Sequence, residues 1–322
     1  MSKILNTKNL LIALGVLVVV YFLTTMRGDK ERSFKSELFQ VDTSAVSKMV
    51  ITPMTGKGED IILERASEGW QLKSGDKSYK PNQYAGRQIL GEVTKMRASR
   101  LAANDQSKWE QFQVTESTGT RVKLYDGNNV VADFYVGKFN YEQPQNPQYQ
   151  QSGAKMSTCI RPTDEDKVYV VDGFVKMSIP ESIDGYRSKK LSALKKDDIR
   201  KVELNYPDGG YALLKNGASW SLNGQPTDST KVSDYISKLS HITGSTFIDD
   251  VKAVSSTPAY SIKIEGDNFN PVEIKAFPAD SVNQYIITSS ELPSTQFSGS
   301  KGALYERIFP PISELIIEEI PR

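Results

Sequence analysis

The sequence predicts an α+β fold, in which a single N-terminal transmembrane helix precedes two tandem repeats rich in strands. Three observations support this prediction: an uncharged apolar run near the N-terminus, short segments in which apolar and polar residues alternate, and one amphipathic helical pattern in each half of the chain. A strand-rich unit that packs a single helix belongs to the α+β class.

The composition is that of a folded protein. The chain has 322 residues, of which 38% are hydrophobic and 25% are charged, so two domains with ordinary cores fit its length. Forty basic residues against thirty-nine acidic ones leave a net charge of +1. Because such a chain has no overall field to attract polyanions, nucleic acid is not expected as a partner.

The apolar run, "LLIALGVLVVVYFLTTM" at residues 10–26, contains no charged residue and predicts a membrane anchor. A helix of this length rises about 25 Å, close to the lower limit for crossing the hydrocarbon core of a bilayer. A cleaved signal peptide is the main alternative, but no A-x-A-like cleavage site follows the run. The residues that represent the predicted anchor are Leu10, Leu14, Val18, Phe22 and Met26.

The orientation of this helix follows from its form rather than from its flanking charges. Basic residues on its two sides are nearly equal in number, so the positive-inside rule does not decide. A very short basic N-terminus before the run is typical of a signal anchor. We therefore expect a single-pass inner-membrane protein with residues 1–30 as anchor, residues 31–40 as stalk, a cytoplasmic N-terminus and a periplasmic bulk.

Two domains are predicted after the stalk, at residues 41–190 and 191–322, because the same order of elements occurs twice. Each half reads as three short strands, then an amphipathic helix, then further strands. The offset between matching positions falls only from 153, for Met49 and Val202, to 146, for Leu90 and Ile236. We interpret this as a duplication, with Trp70 and Trp220 of the two copies packing a sheet against its helix.

The first repeat also contains a segment at residues 140–162 that is rich in Gln, Asn, Pro and Tyr. Such a composition is typical of a long loop. Tyrosines and amides are efficient at binding surfaces, so this loop is the predicted partner-binding site. A disordered excursion without a partner is an equal alternative. The candidate contact residues are Tyr141, Gln145 and Tyr149.

No motif for catalysis, cofactor binding or metal binding occurs in the sequence. The only cysteine is Cys159 and the only histidine is His241, which leaves little for a nucleophile–base pair. Three acidic clusters, at residues 164–166, 197–198 and 249–250, lack the spacing of a calcium loop and are typical of solvated turns. We therefore expect no enzyme, no cofactor and no metal.

Four stretches in this order, "GWQL", "RQILGEVTKMRASRLA", "VKLYDGNNVVADFYVGK" and "KVYVVDGFVKMSIPESIDGYRSKKL", resemble the bacterial domain-of-unknown-function family 4340. Members of that family are often encoded beside permeases and ATPases of the ABC type, including those linked to gliding motility. The resemblance implies an accessory subunit of such a transport or secretion complex, which binds a partner or substrate without catalysis. Two alternatives stay open: an anchored cell-envelope enzyme using carboxylates, such as a glycan hydrolase, and a structural scaffold.

Overall fold

The computed structural model describes residues 14–19, 36–143 and 154–316 of the chain. Seventeen strands lie within these residues. In chain order they are β1 Lys48–Thr52, β2 Ile61–Ala66, β3 Gly69–Ser74, β4 Lys77–Tyr79, β5 Ala98–Ala103, β6 Thr120–Asp126, β7 Asn129–Glu142, β8 Lys155–Pro162, β9 Val168–Asp172, β10 Ile199–Tyr206, β11 Gly209–Asn216, β12 Ser219–Leu222, β13 Gln225–Pro226, β14 Tyr260–Gly266, β15 Val272–Pro278, β16 Tyr285–Ser289 and β17 Leu292–Ser298.

Helices are few and mostly short. The α-helices that the structure describes after residue 36 are α1 Ala85–Lys95, α2 Val175–Ser178, α3 Ser229–Ser240 and α4 Leu304–Ile308. The pairings between strands are antiparallel throughout the described chain. The α+β prediction is therefore corrected to a β-rich fold, because two large antiparallel sheets dominate and only α1 and α3 have three turns or more.

The predicted membrane anchor is also corrected. Residues 14–19 are helical and exposed, so Leu14 and Val18 lie in this helix, whereas Leu10, Phe22 and Met26 lie outside the described residues. In the described ranges, no helix has both the length and the apolar character that a bilayer span requires. A span needs about 20 apolar residues. The expected single-pass inner-membrane location with a periplasmic bulk depended on this helix and is corrected with it.

The chain divides into two compact units, residues 1–58 with 87–179 and residues 59–86 with 180–322. In the first unit the strands lie in the order β1-β6-β7-β8-β9-β5. In the second unit β3 lies between β2 and β4, and an eight-stranded sheet has the order β13-β12-β11-β10-β14-β15-β16-β17. The domain boundary expected near residue 190 stays a prediction from the sequence.

The order of strands repeats as the sequence indicates. β1 pairs with β6 as β10 pairs with β14, and the β2-β3-β4 meander has its counterpart in β11-β12-β13. A second meander, β6 to β9, corresponds to β14 to β17. Among the strands of the described ranges, only β5 has no equivalent. Residues of "RASRLA", interpreted from the sequence as helical, form this extra strand instead.

The apolar face predicted for each long helix is buried. In α1 the buried residues include Ile89, Leu90 and Val93, and the next residue after the helix, Met96, is buried as well; in α3 they are Val232, Tyr235, Ile236, Leu239 and Ser240. Asp228 caps α3, since its Oδ1 atom accepts hydrogen bonds from the N–H groups of Thr230 and Lys231 at 2.9 and 3.0 Å. The 3.6-residue period thus places one stripe of each helix in a core.

The tryptophans that mark the two copies are half-buried. A Cβ atom added to Gly86, at the start of α1, would lie 2.5 Å from Nε1 of Trp70, so the indole packs directly on the helix backbone. Trp220 packs against the core cluster of the second unit, which includes Val232 and Leu239 of α3. Both indoles therefore contact the helix of their own copy, or the core to which it belongs, as expected from the sequence.

A bulge in β7 shapes the strand that contains Tyr141. The register with β8 shifts between Val136 and Phe139. A Cβ atom on the intervening Gly137 would lie 2.3 Å from the carbonyl oxygen of Phe112, whose backbone also accepts a hydrogen bond from the N–H of Lys138 at 2.8 Å. Only glycine permits this approach, and the bulge redirects the remainder of the strand.

Leu239→Ala is expected to lower the free energy of unfolding by about 2–5 kcal/mol, because Leu239 lies on the buried face of α3 and its truncation leaves a cavity. Urea unfolding followed by circular dichroism measures the change. The exposed neighbour Lys238 supplies the matched control, and Lys238→Ala is expected to change stability by about 0.5 kcal/mol or less. Equal losses for the two variants would contradict the assignment of this face to the core.

Candidate functional site

The only candidate loop residue that the structure describes is Tyr141, near the end of β7. Its side chain is 55% exposed, and it lies opposite Met156 of β8. Gln145 and Tyr149 lie outside the described residues. Residues 155–162, which the composition assigns to the loop, form β8, so the strand pairing extends further towards the loop than the sequence indicates.

Two further apolar side chains are exposed beside this end of the hairpin. The N–H of Gly173 donates a hydrogen bond to the carbonyl oxygen of Met156 at 2.8 Å, which places the following residue, Phe174, at the same strand end as Tyr141. Phe174 is 53% exposed, and Met177, one helical turn later, is 61% exposed. We call Tyr141, Phe174 and Met177 the hairpin-end patch.

A shallow cleft adjoins the patch and has charges of both signs. Its volume is about 450 Å³, and Met156 and Phe174 line it. The charged residues in its lining are Arg100, Glu142, Lys155 and Asp172. Ser99 donates a hydrogen bond to the Asp172 carboxylate at 3.1 Å. The lining of the cleft thus combines apolar side chains with charges of both signs.

Sequence reasoning located Tyr141 but missed Phe174 and Met177. The stretch "GFVKMS" has no polar residue except its lysine and serine, so its apolar residues cannot be assigned to the core or to the surface by pattern. In the structure Val175 is buried whereas Phe174 and Met177 face solvent. The four-residue helix α2 is responsible, because residues three apart, such as Phe174 and Met177, lie on one face of a helix, whereas Val175 lies on another.

The single cysteine and histidine occupy structural positions. Cys159 is buried in β8, and burial raises the pKa of its thiol although a side-chain hydrogen bond with Asn140 opposes the shift. A thiol of raised pKa is a poor nucleophile at neutral pH. His241 ends α3, where its Nδ1 atom lies 2.8 Å from the hydroxyl of Ser240.

The acidic clusters serve turns and ion pairs. Asp166 accepts a hydrogen bond from the side chain of Gln106 at 3.2 Å, and the carbonyl oxygen of Asp198 accepts one from the N–H of Asp267 at 2.9 Å. Asp249 pairs with Arg187. Across the part of the chain that is described, no three His, Cys, Asp or Glu side chains are grouped so that they could hold a metal ion.

Arg187 is the centre of a group of polar and aromatic contacts in the second unit that sequence analysis did not predict. Its side chain is only 2% exposed, and its guanidinium lies 4.2 Å from the ring centre of Tyr79 and 3.9 Å from that of Phe247. Its Nη1 atom lies 2.6 Å from Asp249 and 3.1 Å from Asp184. The Nη2 atom donates to the hydroxyl oxygen of Thr295 at 3.0 Å. The Nε atom is buried without a hydrogen-bond partner in the described structure.

In the first unit, an ion pair between Arg121 and Asp133 joins β6 to β7. Arg121 of β6 donates two hydrogen bonds of 2.8 Å to the carboxylate of Asp133, and Thr163 donates a third at 2.7 Å. Burial by itself would raise the pKa of Asp133, but the hydrogen bonds from Arg121 and Thr163 outweigh it and hold the pKa below its ordinary value. A bidentate pair of this kind fixes the register of β6 against β7.

Arg187→Met is expected to lower the free energy of unfolding by about 3–5 kcal/mol, because it removes one partner of a buried ion pair and leaves Asp249 uncompensated. Chemical unfolding measures the loss. Arg200→Met is the matched control, since Arg200 forms an exposed pair with Asp267 at 2.6 Å and an exposed pair contributes about 1 kcal/mol or less. A loss no larger than that of the control would show that the cluster is not structural.

Asp133→Asn is expected to destabilise the protein at neutral pH but progressively less in acid. Since the folded pKa of Asp133 lies below its ordinary value of 3.8, its contribution is present above that value and disappears as the pH falls through the lower folded pKa. Unfolding curves of parent and variant between about pH 7 and pH 2 test this. Asp76→Asn, at an exposed turn, is the control. A stability gap that stays constant down to the lowest pH would contradict the role of the ionised carboxylate.

The comparisons with known proteins concern the middle of the chain. A family model described as "Domain of unknown function (DUF4340)" matches residues 75–263. The comparisons with curated proteins and with solved structures gave no match. The matched region includes the helices α1, α2 and α3, the strands from β4 to β13 and the start of β14. Because it covers more than half of the 322 residues, this chain belongs to the DUF4340 family.

Proposed function

We propose that this protein is a non-catalytic accessory subunit that binds a protein partner through the hairpin-end patch. The observation that supports the proposal is the exposure of Tyr141, Phe174 and Met177, each more than half accessible to solvent, at one end of the first unit. Large apolar side chains grouped in contact with water mark interaction surfaces. Aromatic residues and methionine are also enriched at the centres of such surfaces.

The charges beside the patch define what kind of surface would fit it. Arg100 and Lys155 lie with Glu142 and Asp172 around the adjoining cleft, so neither sign dominates. A strongly charged partner such as a nucleic acid or an anionic lipid surface gains little from this balance. A protein surface with an apolar projection and a mixed polar rim is complementary to it.

The partner we propose is a subunit of an ABC-type transport complex, either the permease or its ATPase. This class of partner rests on the family resemblance of the sequence, whereas the binding surface rests on the exposed side chains. The two parts of the proposal are therefore tested separately, first by locating the contact and then by identifying the bound protein.

A photo-reactive benzophenone amino acid at position 141 is expected to crosslink one protein in intact cells. Because Phe174 and Met177 would lie in the same contact, Phe174→Ser with Met177→Ser is expected to reduce that crosslink at least about tenfold, as removal of two apolar anchors costs roughly 1.4 kcal/mol or more. Gel electrophoresis and mass spectrometry measure its yield and identity.

The matched control is the pair Val254→Ser with Val282→Ser, which removes two apolar side chains that are 76% and 64% exposed in the second unit. This pair is expected to leave the crosslink unchanged. If no crosslink forms, or if both pairs reduce it equally, the surface is wrong. If a single protein is crosslinked at this patch but is no transport subunit, the surface stands and the proposed partner class is wrong.

A further inference from the structure

A second cleft, which we call the lysine cleft, lies within the second unit. Its walls are formed by residues 80–84, by residues 184–193 and by Thr243 with Glu291. Its volume is about 520 Å³. Sites for small molecules typically have volumes of about 300–1,000 Å³, so this cleft is large enough for a compact organic ligand.

Main-chain hydrogen bonds fix the walls of the lysine cleft. The N–H of Ser188 donates to the carbonyl oxygen of Lys80 at 2.7 Å, and Pro81 forms a β-bridge with Arg187. On the other side the N–H of Gly244 donates to the carbonyl oxygen of Lys189 at 2.9 Å. These pairings hold the walls in place without a ligand, so little ordering cost remains for binding.

Two ammonium groups of the lysine cleft lack an acidic partner. Lys80 forms an ion pair with Glu291 at 2.7 Å, which neutralises both. Lys189 and Lys190 are exposed and form no ion pair with any residue that the structure describes, although the Nζ atom of Lys189 lies 5.6 Å from the ring centre of Phe247. Lys190 donates only a long hydrogen bond of 3.4 Å to the side chain of Gln83. The cleft therefore has uncompensated positive charge.

The lining of the lysine cleft also includes apolar surface. Tyr84 is 57% exposed. This exposure is unfavourable, because an aromatic side chain contributes several kcal/mol more to stability when it is buried than when it is exposed. Pro81 and Ala193 line the same cleft. A ligand with an anionic group and a flat apolar portion would satisfy both the lysines and the exposed ring.

We propose that the lysine cleft binds a small anionic ligand, with its carboxylate or phosphate group held by Lys189 and Lys190 and its apolar portion against Tyr84. An exposed lysine pair on a flat surface would simply stay solvated. Here the pair lines a preformed cleft that also exposes an aromatic ring, which is the usual composition of a small-molecule site. The site lies in the second unit, so it is distinct from the hairpin-end patch of the first.

Isothermal titration with phenyl phosphate, benzoate, inorganic phosphate and neutral benzyl alcohol tests this proposal on the full chain. We expect saturable binding of phenyl phosphate or benzoate and none of benzyl alcohol. The stronger of the two anions identifies the acidic group that the cleft prefers. Lys189→Gln with Lys190→Gln is expected to weaken binding at least about tenfold, because charge-assisted hydrogen bonds are lost.

Lys231→Gln with Lys238→Gln is the matched control, since both lysines are exposed on α3 and the pair removes the same charge. It is expected to leave the affinity unchanged. Tyr84→Ala is expected to weaken binding of the aromatic anions while leaving that of inorganic phosphate unchanged. The proposal is overturned if no aromatic anion saturates the protein, or if the two lysine pairs weaken binding equally. Neither result depends on the hairpin-end patch.

Discussion

A guanidinium group held between two aromatic rings joins four segments of the second unit that are distant in sequence. Arg187 contacts Tyr79 at the end of β4, Phe247 with Asp249 in the loop after α3, and Thr295 in β17. Removing a charge from water costs several kcal/mol, so a buried arginine persists only when its neighbours repay that cost. Here the two ring faces and the carboxylate of Asp249 do so together.

The same residue determines the shape of the lysine cleft. The backbone of Arg187 forms a β-bridge with Pro81, and its guanidinium forms an ion pair with Asp184 at 3.1 Å. One buried residue therefore holds both the segment 80–84 and the segment 184–193 of the cleft lining. Lys189 and Lys190 follow within three residues of the chain. Because the anchor is immobilised from several sides, the two ammonium groups project from a rigid segment rather than from a free loop. A rigid segment is what pre-organised recognition of an anion requires.

Local patterns predicted the parts of this fold that depend on local physics. The buried faces of α1 and α3, the strands around Met49 and Val202, and the order of both repeats follow from hydrophobic periods of 3.6 and 2. β5 was missed because its residues, "ASRLAA", have good helix propensity and become a strand only through pairing with β9. Arg187 was missed for the same reason, since its partners lie up to 108 residues away. The exposure of Phe174 depends on the position of the four-residue helix α2, and a helix this short is not predicted by a periodic pattern of apolar residues.

The hairpin-end patch belongs to the first copy only, because one strand of that copy is longer than its counterpart. β7 has 14 residues, whereas its counterpart β15 has 7 and ends at Pro278. At about 3.4 Å per residue, the additional length extends the hairpin by up to roughly 24 Å. The bulge at Gly137 lies where this extension begins, and Tyr141 lies close to its end.

In the strands that both copies share, the buried side chains pack in the core of each copy. The exposed side chains of these strands form ion pairs, such as Lys201 with Glu265. The extension of β7 is present in one copy alone and is not part of the strands that both copies share. Exposed apolar side chains there can therefore serve partner binding without destabilising those shared strands.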